Sequence, residues 1–399
     1  MRIQRAAKGW AACILFAAFG LQIVTAEEAS RRTLQFSMYP FIPEAEAAAY
    51  EIKTLYERMY PDVELQITFN PSYYDPKQGI SADKATVYEL DSVFLADFAE
   101  KLQPLPSRLA TVAEKTLSMA RAAAVYNGQL FGVPHWLCSN FVIFRSSDQA
   151  LVKARSLLDF EKAFAHDKRL LIDLKGKSTL GEMYLTAFLS NYGTIDSALA
   201  HLDSDKLDPP SREAVSRALT LAPRWHGRDS TWHNLTGSYG REFGAGRGRA
   251  FVSYSEGLHY VLSESHACLP GERCPKQSQI TVVPWALGDS PAPQIAWVDL
   301  LVIDKDAAGR TLSDAVNLID LIASASTYRR LLVPPAGESP RYLLPAREDV
   351  YRDARVSKAA PLYKQFYKFI KNAAPITAPG LNTKLRAIGG KLDSELGPH

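Results

Sequence analysis

Four cysteines occur among the 399 residues: Cys13, Cys138, Cys268 and Cys274. Cys268 and Cys274 bound the polar stretch Cys268-Leu-Pro-Gly-Glu-Arg-Cys274, which an oxidising compartment would close into a small disulfide loop. A zinc site there, helped by His259 and His266, is the weaker reading, because the paired Cys-x-x-Cys spacing of structural zinc modules is absent. Cys13 lies in an apolar N-terminal run that export would remove. Cys138 is then left as the free thiol of the mature chain. A thiol attacks as its thiolate, and in an exported protein an unpaired one invites oxidation and mispairing unless it is buried or used. Residue type alone leaves both outcomes open, an inert core cysteine or a nucleophile. A nucleophile also needs a base to take its proton.

The compartment follows from the N-terminus. Arg2, Arg5 and Lys8 precede an apolar run from Ala11 to Val24 and the small-residue end Val24-Thr25-Ala26, the pattern of a signal peptide over residues 1–26. The run is short for a bilayer span of roughly 20 residues, and no later segment offers an uninterrupted one. The mature chain is therefore expected to be exported, periplasmic or secreted, with no membrane partner. Cys13 sits inside the run rather than after it, which does not fit a lipoprotein. Losing three cations with the signal takes the formal net charge from +3 to about zero, so no surface for nucleic acid is implied.

About 370 residues remain, too many for a single core, and two lobes are expected. A strand over Thr33–Tyr39 ends at Pro40, a helix follows from Glu44 to Met59, and a second strand alternates from Val63 to Phe69. Thr86 to Leu95 reads as a third strand, Arg169 to Leu174 as a buried strand before a helix over Leu180 to Leu189, and Ala250 to Ser255 as another strand. The order is α/β. Lobe one is assigned to residues 27–145, with 295–399 returning to it and to the hinge, and lobe two to 146–294. A ligand cleft is expected between the lobes. Such clefts need no partner subunit, so a monomer is the default.

Four other patterns do not carry chemistry. Gly176-Lys177-Ser178-Thr179 lies between a strand and a helix, but a phosphate-binding loop needs a glycine where Leu171 stands; it reads as a loop with a helix N-cap. Gly244-Ala-Gly246-Arg-Gly248 precedes a strand rather than opening a helix, so it reads as a tight turn whose backbone can approach a ligand closely. His226 and His233 lack a carboxylate-rich partner pattern for a metal, and Asn234-Leu-Thr236 is a glycosylation sequon of low specificity.

The stretch Gly132-Val-Pro-His-Trp-Leu-Cys138-Ser-Asn-Phe-Val-Ile-Phe-Arg145 resembles the nucleophile segment of the bacterial thiaminase I (thiamine pyridinylase) family. Glu-Leu-Asp91-Ser-Val-Phe-Leu before it, Gly-Arg-Ala-Phe-Val-Ser-Tyr254-Ser-Glu256 after it and Tyr342-Leu-Leu-Pro-Ala-Arg347 resemble further blocks in the family order. The resemblance implies an α/β, two-lobed periplasmic-binding-protein-like fold with the active site in the interlobe cleft. It also implies base-exchange cleavage of thiamine: a cysteine adds to the pyrimidine ring, the thiazole leaves the bridging methylene, and an external base or thiol replaces it. By position Cys138 would be the nucleophile and Glu256 its base.

A thiol near 8.5 and a carboxylate near 4.3 are mismatched by about 6 kcal/mol of proton transfer, so burial must raise Glu256 and the cationic substrate must favour the thiolate. The good leaving group makes a metal or organic cofactor unnecessary. Asp91 and Asp299 match acidic positions of the family and Tyr39 and Tyr254 aromatic ones, suited to an aminopyrimidine's hydrogen bonds and flat faces; a thiazolium would add a cation–π contact. Tyr239 is a further candidate wall residue. Trp297 stands where the family has a tyrosine, and Asn70-Pro71 where it carries an aspartate, which bears on the exact substrate. The implied partners are thiamine, or a related analogue, and a small nucleophile of the pyridine, aniline or thiol type. The alternative is a non-catalytic binding protein for thiamine or a related pyrimidine, which would need neither the free thiol nor its base.

Overall fold

A computed structural model of the chain describes residues 31–75, 77–204, 206–223, 233, 235–265, 275–289, 293–333, 335 and 338–396. The signal-peptide segment and the Cys268–Cys274 pair lie outside the described residues, as do Cys13, His226, Asn234 and His266. Along the chain, β1 (Arg32–Met38), α1 (Ala45–Met59), β2 (Val63–Phe69) and β3 (Val87–Asp91) come first. A predominantly helical stretch leads to β4 (Gly132–Cys138) and β5 (Phe141–Arg145), then β6 (Leu170–Leu171), α2 (Lys177–Tyr192), β7 (Ala250–Ser253) and α3 (Gly257–Ser265). The chain continues through β8 (Ile280–Pro284), β9 (Ile295–Ile303), β10 (Leu344–Pro345) and β11 (Ala374–Pro375) and ends in α4 (Leu381–Leu396).

Two sheets result. The larger has the order β10-β4-β9-β3-β1-β2, with β11 also on β9, and the smaller has the order β8-β5-β7-β6. Strand β1 runs parallel to β2 and β3, and α1 covers it with Ala48, Ile52 and Tyr56, buried at four-residue steps that form one helix face. Strand β9, antiparallel to both β3 and β4, is buried at every one of its nine positions. Central strands covered on both faces read as apolar runs; Asp299 interrupts this one.

The chain leaves the larger sheet immediately after Cys138. Strand β4 pairs with β9, whereas β5 pairs with β7 and β8 of the smaller sheet. The crossing thus falls at Ser139 and Asn140, ahead of the boundary expected at 145. The return crossing lies between β8 and β9, and the two are tied together: Ser139 Oγ donates to the Ile295 carbonyl at 2.7 Å, and Gln294 Nε2 donates to the Asn140 carbonyl at 3.0 Å.

Helix α4 touches both halves. Asn382 Nδ2 donates to the Tyr74 carbonyl at 3.1 Å beside the larger sheet, while Arg386 Nη1 donates to Ser178 Oγ at 3.2 Å on α2. The two helices cross closely because Gly181 and Gly389 lack side chains: a Cβ on either would run into the other helix's backbone, at Leu385 and Lys177 respectively. Among the described residues, no helix is long and apolar enough to cross a membrane.

Local polar chemistry shortens two expected strands. The third ends at Asp91 because its side chain accepts from the Val93 amide and opens a 3₁₀ turn over Ser92–Phe94. The strand expected to reach Leu174 stops at Leu171; Asp173 then accepts from the Lys175 and Gly176 amides and turns the chain into α2. Gly248 packs against the Leu171 side chain, so the close approach made at that glycine-rich turn is to the core.

Candidate active site

Three adjacent strands bring the candidate groups into one row. On β9, Trp297 lies opposite Cys138 of β4 and Asp299 lies opposite Asp91 of β3. Because successive side chains alternate across a sheet, Trp297 and Asp299 share a face. Tyr39 follows the last residue of the neighbouring β1. The row opens into a cavity of about 260 Å³. Tyr39, Tyr74, Asp91, Cys138, Trp297 and Asp299 line it from the side of the larger sheet. Thr179 and Glu182 of α2, Tyr254 just after β7, and Asn382 and Leu385 of α4 complete most of the wall. No lysine, arginine or histidine is among the described lining residues.

The carboxylates are buried without cationic partners, and their acidities respond accordingly. Burial raises Asp91 to about 6, against the opposing pull of the Val93 amide on Oδ1 at 3.0 Å and the Tyr74 hydroxyl on Oδ2 at 2.8 Å. Burial lifts Asp299 well above the usual carboxylate range, and the charges of Asp91, Glu89 and Glu256 push in the same direction. Asp299 is thereby favoured as a neutral acid able to donate a hydrogen bond. Behind this row, burial raises Glu89 to about 8; its Oε2 accepts from the Tyr39 amide at 3.0 Å. His135 Nε2 stands 3.6 Å from Glu89 Oε1, but burial lowers the imidazole to about 3, so the pair is neutral acid and neutral base.

Cys138 meets the same field. Burial raises its thiol well above the ordinary value, followed by the charges of Glu256, Asp299, Asp91 and Glu182. The thiol is thus held protonated until positive charge enters. Glu256, partly buried in the turn between β7 and α3, is raised to about 7 by burial. It is not among the described lining residues, yet its charge is felt at the thiol.

The structure brings together Cys138, Tyr39, Asp91, Tyr254, Trp297 and Asp299, with Glu256 adjacent. Tyr239 is elsewhere: its hydroxyl lies 2.7 Å from His233 Nδ1, and it does not line the cavity. Asn70 also stays outside; it holds the turn leading to Tyr74, donating to Asp83 Oδ1 at 2.7 Å and accepting from the Ser72 amide at 2.9 Å. The Tyr342–Arg347 block supports the thiol's strand, for β10 pairs with Trp136 and Leu137, and the Ala346 amide donates to the His135 carbonyl at 2.8 Å.

Sequence reasoning missed Tyr74 and Glu182. The Tyr254 hydroxyl donates to both Glu182 oxygens at 2.8 and 2.9 Å, and Asn140 Nδ2 donates at 3.1 Å. A signal was available: Glu182 is an acidic residue flanked by Gly181, Met183, Tyr184 and Leu185, all buried in α2. Tyr74 carried less, since only the folded loop directs its hydroxyl to Asp91 and to the Tyr39 hydroxyl, 3.0 Å away.

No family-level sequence profile matches the chain. It is 28% identical over 358 residues to thiaminase-1 of Paenibacillus thiaminolyticus, covering 85% of this chain and 81% of that one. The structure of Clostridium botulinum thiaminase I in complex with thiamin superposes with a TM-score of 0.78 at 20% identity, over 91% of this chain and 99% of that one. Maltose-bound MalE3 of T. maritima superposes with a TM-score of 0.67 at 15% identity, over 91% and 98%. The chain resembles thiaminase I in sequence along most of its length, and it has the two-lobed α/β fold shared by thiaminase I and maltose-binding proteins.

Proposed function

We propose that this protein cleaves thiamine at its methylene bridge and transfers the pyrimidine half to a small nucleophile, with Cys138 as the attacking group. The observation that carries this reading is a free thiol in a cavity lined by carboxylates and aromatic rings and by no basic side chain. That wall suits a flat organic cation, and thiamine is one. The sequence resemblance to thiaminase-1 points to the same chemistry.

In the proposed reaction the aminopyrimidine lies against Tyr39 and the sheet. Asp91, the more acidic member of the cross-strand pair, accepts from the exocyclic amine, while neutral Asp299 donates to a ring nitrogen. The Cys138 Sγ–H gives its proton to Glu256, and sulfur bonds to ring carbon. Electron density moves onto the ring nitrogens, where a donated hydrogen bond stabilises it. The carbon–nitrogen bond to the thiazolium then breaks, its electron pair leaving with the neutral thiazole. Glu256 releases its proton to solvent and takes the proton of the incoming nucleophile as that group bonds to the methylene. Sulfur leaves the ring and recovers this proton. No redox step is involved.

Bound substrate supplies the missing activation. Its positive charge offsets the carboxylate field that holds the Cys138 proton in place, so the thiolate is favoured when there is something to attack. The raised Glu256 brings the base closer to the thiol in proton affinity than an exposed glutamate would be.

The chain is further proposed to be exported and to act as a monomer. Incubation with thiamine and aniline, followed by mass spectrometry, tests the reaction: free thiazole and the pyrimidine–aniline product are expected in equal amounts. Thiamine recovered intact from a stable complex would favour the non-catalytic binding protein instead.

A further inference from the structure

Glu182 is placed unlike the two aspartates. Asp91 and Asp299 face each other on neighbouring strands of the larger sheet. Glu182 projects from α2, whose close crossing with α4 at Gly181 fixes the helix beside the cavity. Its donors come from different parts of the molecule: Tyr254 follows β7 of the smaller sheet, and Asn140 lies in the crossing just after Cys138. Tyr254 and Trp297 are two aromatic residues of the cavity wall. One carboxylate thus holds the Tyr254 ring and the crossing after Cys138 while it borders the cavity itself.

A merely structural acceptor here would not need a charge. The Tyr254 hydroxyl and the Asn140 amide are neutral donors, which a neutral amide oxygen could also receive. A buried anion is costly unless something positive repays it, and among the described residues no basic side chain lines the cavity. The compensating charge must arrive with the ligand. The sheet-borne pair is already engaged by the aminopyrimidine in the function proposed above, on which this inference rests. We infer that Glu182 is the specificity-determining residue for the substrate's cationic ring, preferring a charged thiazolium over a neutral ring of the same shape.

The test compares two ligands in a Cys138→Ser background, where turnover does not interfere: thiamine, and an analogue whose thiazolium nitrogen is replaced by carbon, which removes the charge and little else. Dissociation constants by titration calorimetry at pH 8 are expected to favour thiamine by at least about tenfold, a charge effect of the size seen for close partly buried pairs. Adding Glu182→Gln is expected to weaken thiamine about tenfold and the neutral analogue by less than about threefold, collapsing the preference. Tyr254→Phe, which removes a hydroxyl but leaves the carboxylate, is expected to keep it. Equal weakening of both ligands in Glu182→Gln would reduce Glu182 to a brace for the walls and overturn the inference, as would an unchanged preference. If Glu182→Gln does not fold, the preference measured from pH 7 to 8 in a Cys138→Ser, Glu256→Gln background decides: with Glu256, which is also raised to about 7, removed, and Asp91, about 6, already ionised, it should grow as Glu182, raised to about 7, loses its proton, and a flat preference overturns the inference. A protein that binds neither ligand before Glu182 is altered removes the proposed function itself, whereas binding of both without charge preference removes only the role of Glu182.

Discussion

Asp91 and Asp299 stand directly across from each other on adjacent antiparallel strands, both almost wholly buried and with no basic side chain in the cavity between them and the thiol. Like carboxylates in this position cannot both ionise without cost, and the structure resolves the conflict by separating their acidities. Separation gives one acceptor and one donor, the pair that an aminopyrimidine edge requires.

The first prediction concerns the thiol. Cys138→Ser should lower turnover by more than about 10³-fold, because the hydroxyl is a far poorer nucleophile at the same position. Thiamine binding should persist, since the carboxylates and rings are untouched. Steady-state product formation and calorimetric binding on the same preparation separate the two effects.

The base should show itself in the pH profile. Glu256 must be ionised to accept a proton, so kcat/KM is expected to rise with pH through a midpoint near 7. Glu256→Gln should lower kcat by about 10²–10⁴-fold and remove that rise. A variant that keeps the same ascending limb would assign it to another group, with Glu182 the first candidate.

Stability should depend on pH in the opposite sense to that of a protein held by salt bridges. Glu89, Glu182, Glu256 and Asp299 all have folded-state acidities raised above unfolded values. Between the unfolded values and these raised ones the native state binds more protons than the unfolded state, so stability falls as pH increases. His135 and His259, lowered by burial, act the other way below about 6.5. The clean window therefore runs from about pH 6.5 to 8.5. Thermal melts should show a falling Tm across it, and Asp299→Asn should make the fall shallower.

The helix crossing provides a test away from the chemistry. Gly181→Val places a branched side chain against the Leu385 backbone, which cannot move aside as a flexible side chain would. Destabilisation of about 3 kcal/mol or more is expected by denaturant titration. Surviving folded protein should bind thiamine more weakly, because α4 carries Asn382 and Leu385 into the cavity.

The α/β order, the first helix and the two strands that flank it were legible in the sequence because periodicity and turn residues speak locally. Strand β9 could be sensed only through Trp297 and Asp299, as its burial on both faces leaves no alternation to read. The meeting of Cys138 with Trp297 and of Asp91 with Asp299 depends on strand register across more than 150 intervening residues, which spacing cannot supply. Family resemblance supplied those candidates in advance. It also suggested Tyr239, which the fold directs to His233 instead. Glu182 escaped notice because its partners, Asn140 and Tyr254, converge on it from two segments separated along the chain.

The most direct measurement is a single-turnover reaction of the protein with thiamine and no added nucleophile, quenched in acid and analysed by peptide mass spectrometry. The pyrimidinylmethyl group should appear on Cys138, with one thiazole released per adduct. An unmodified Cys138 peptide at times when thiazole has already been released would show that cleavage proceeds without this thiol, and intact thiamine with no thiazole at all would show that the cavity binds without cutting.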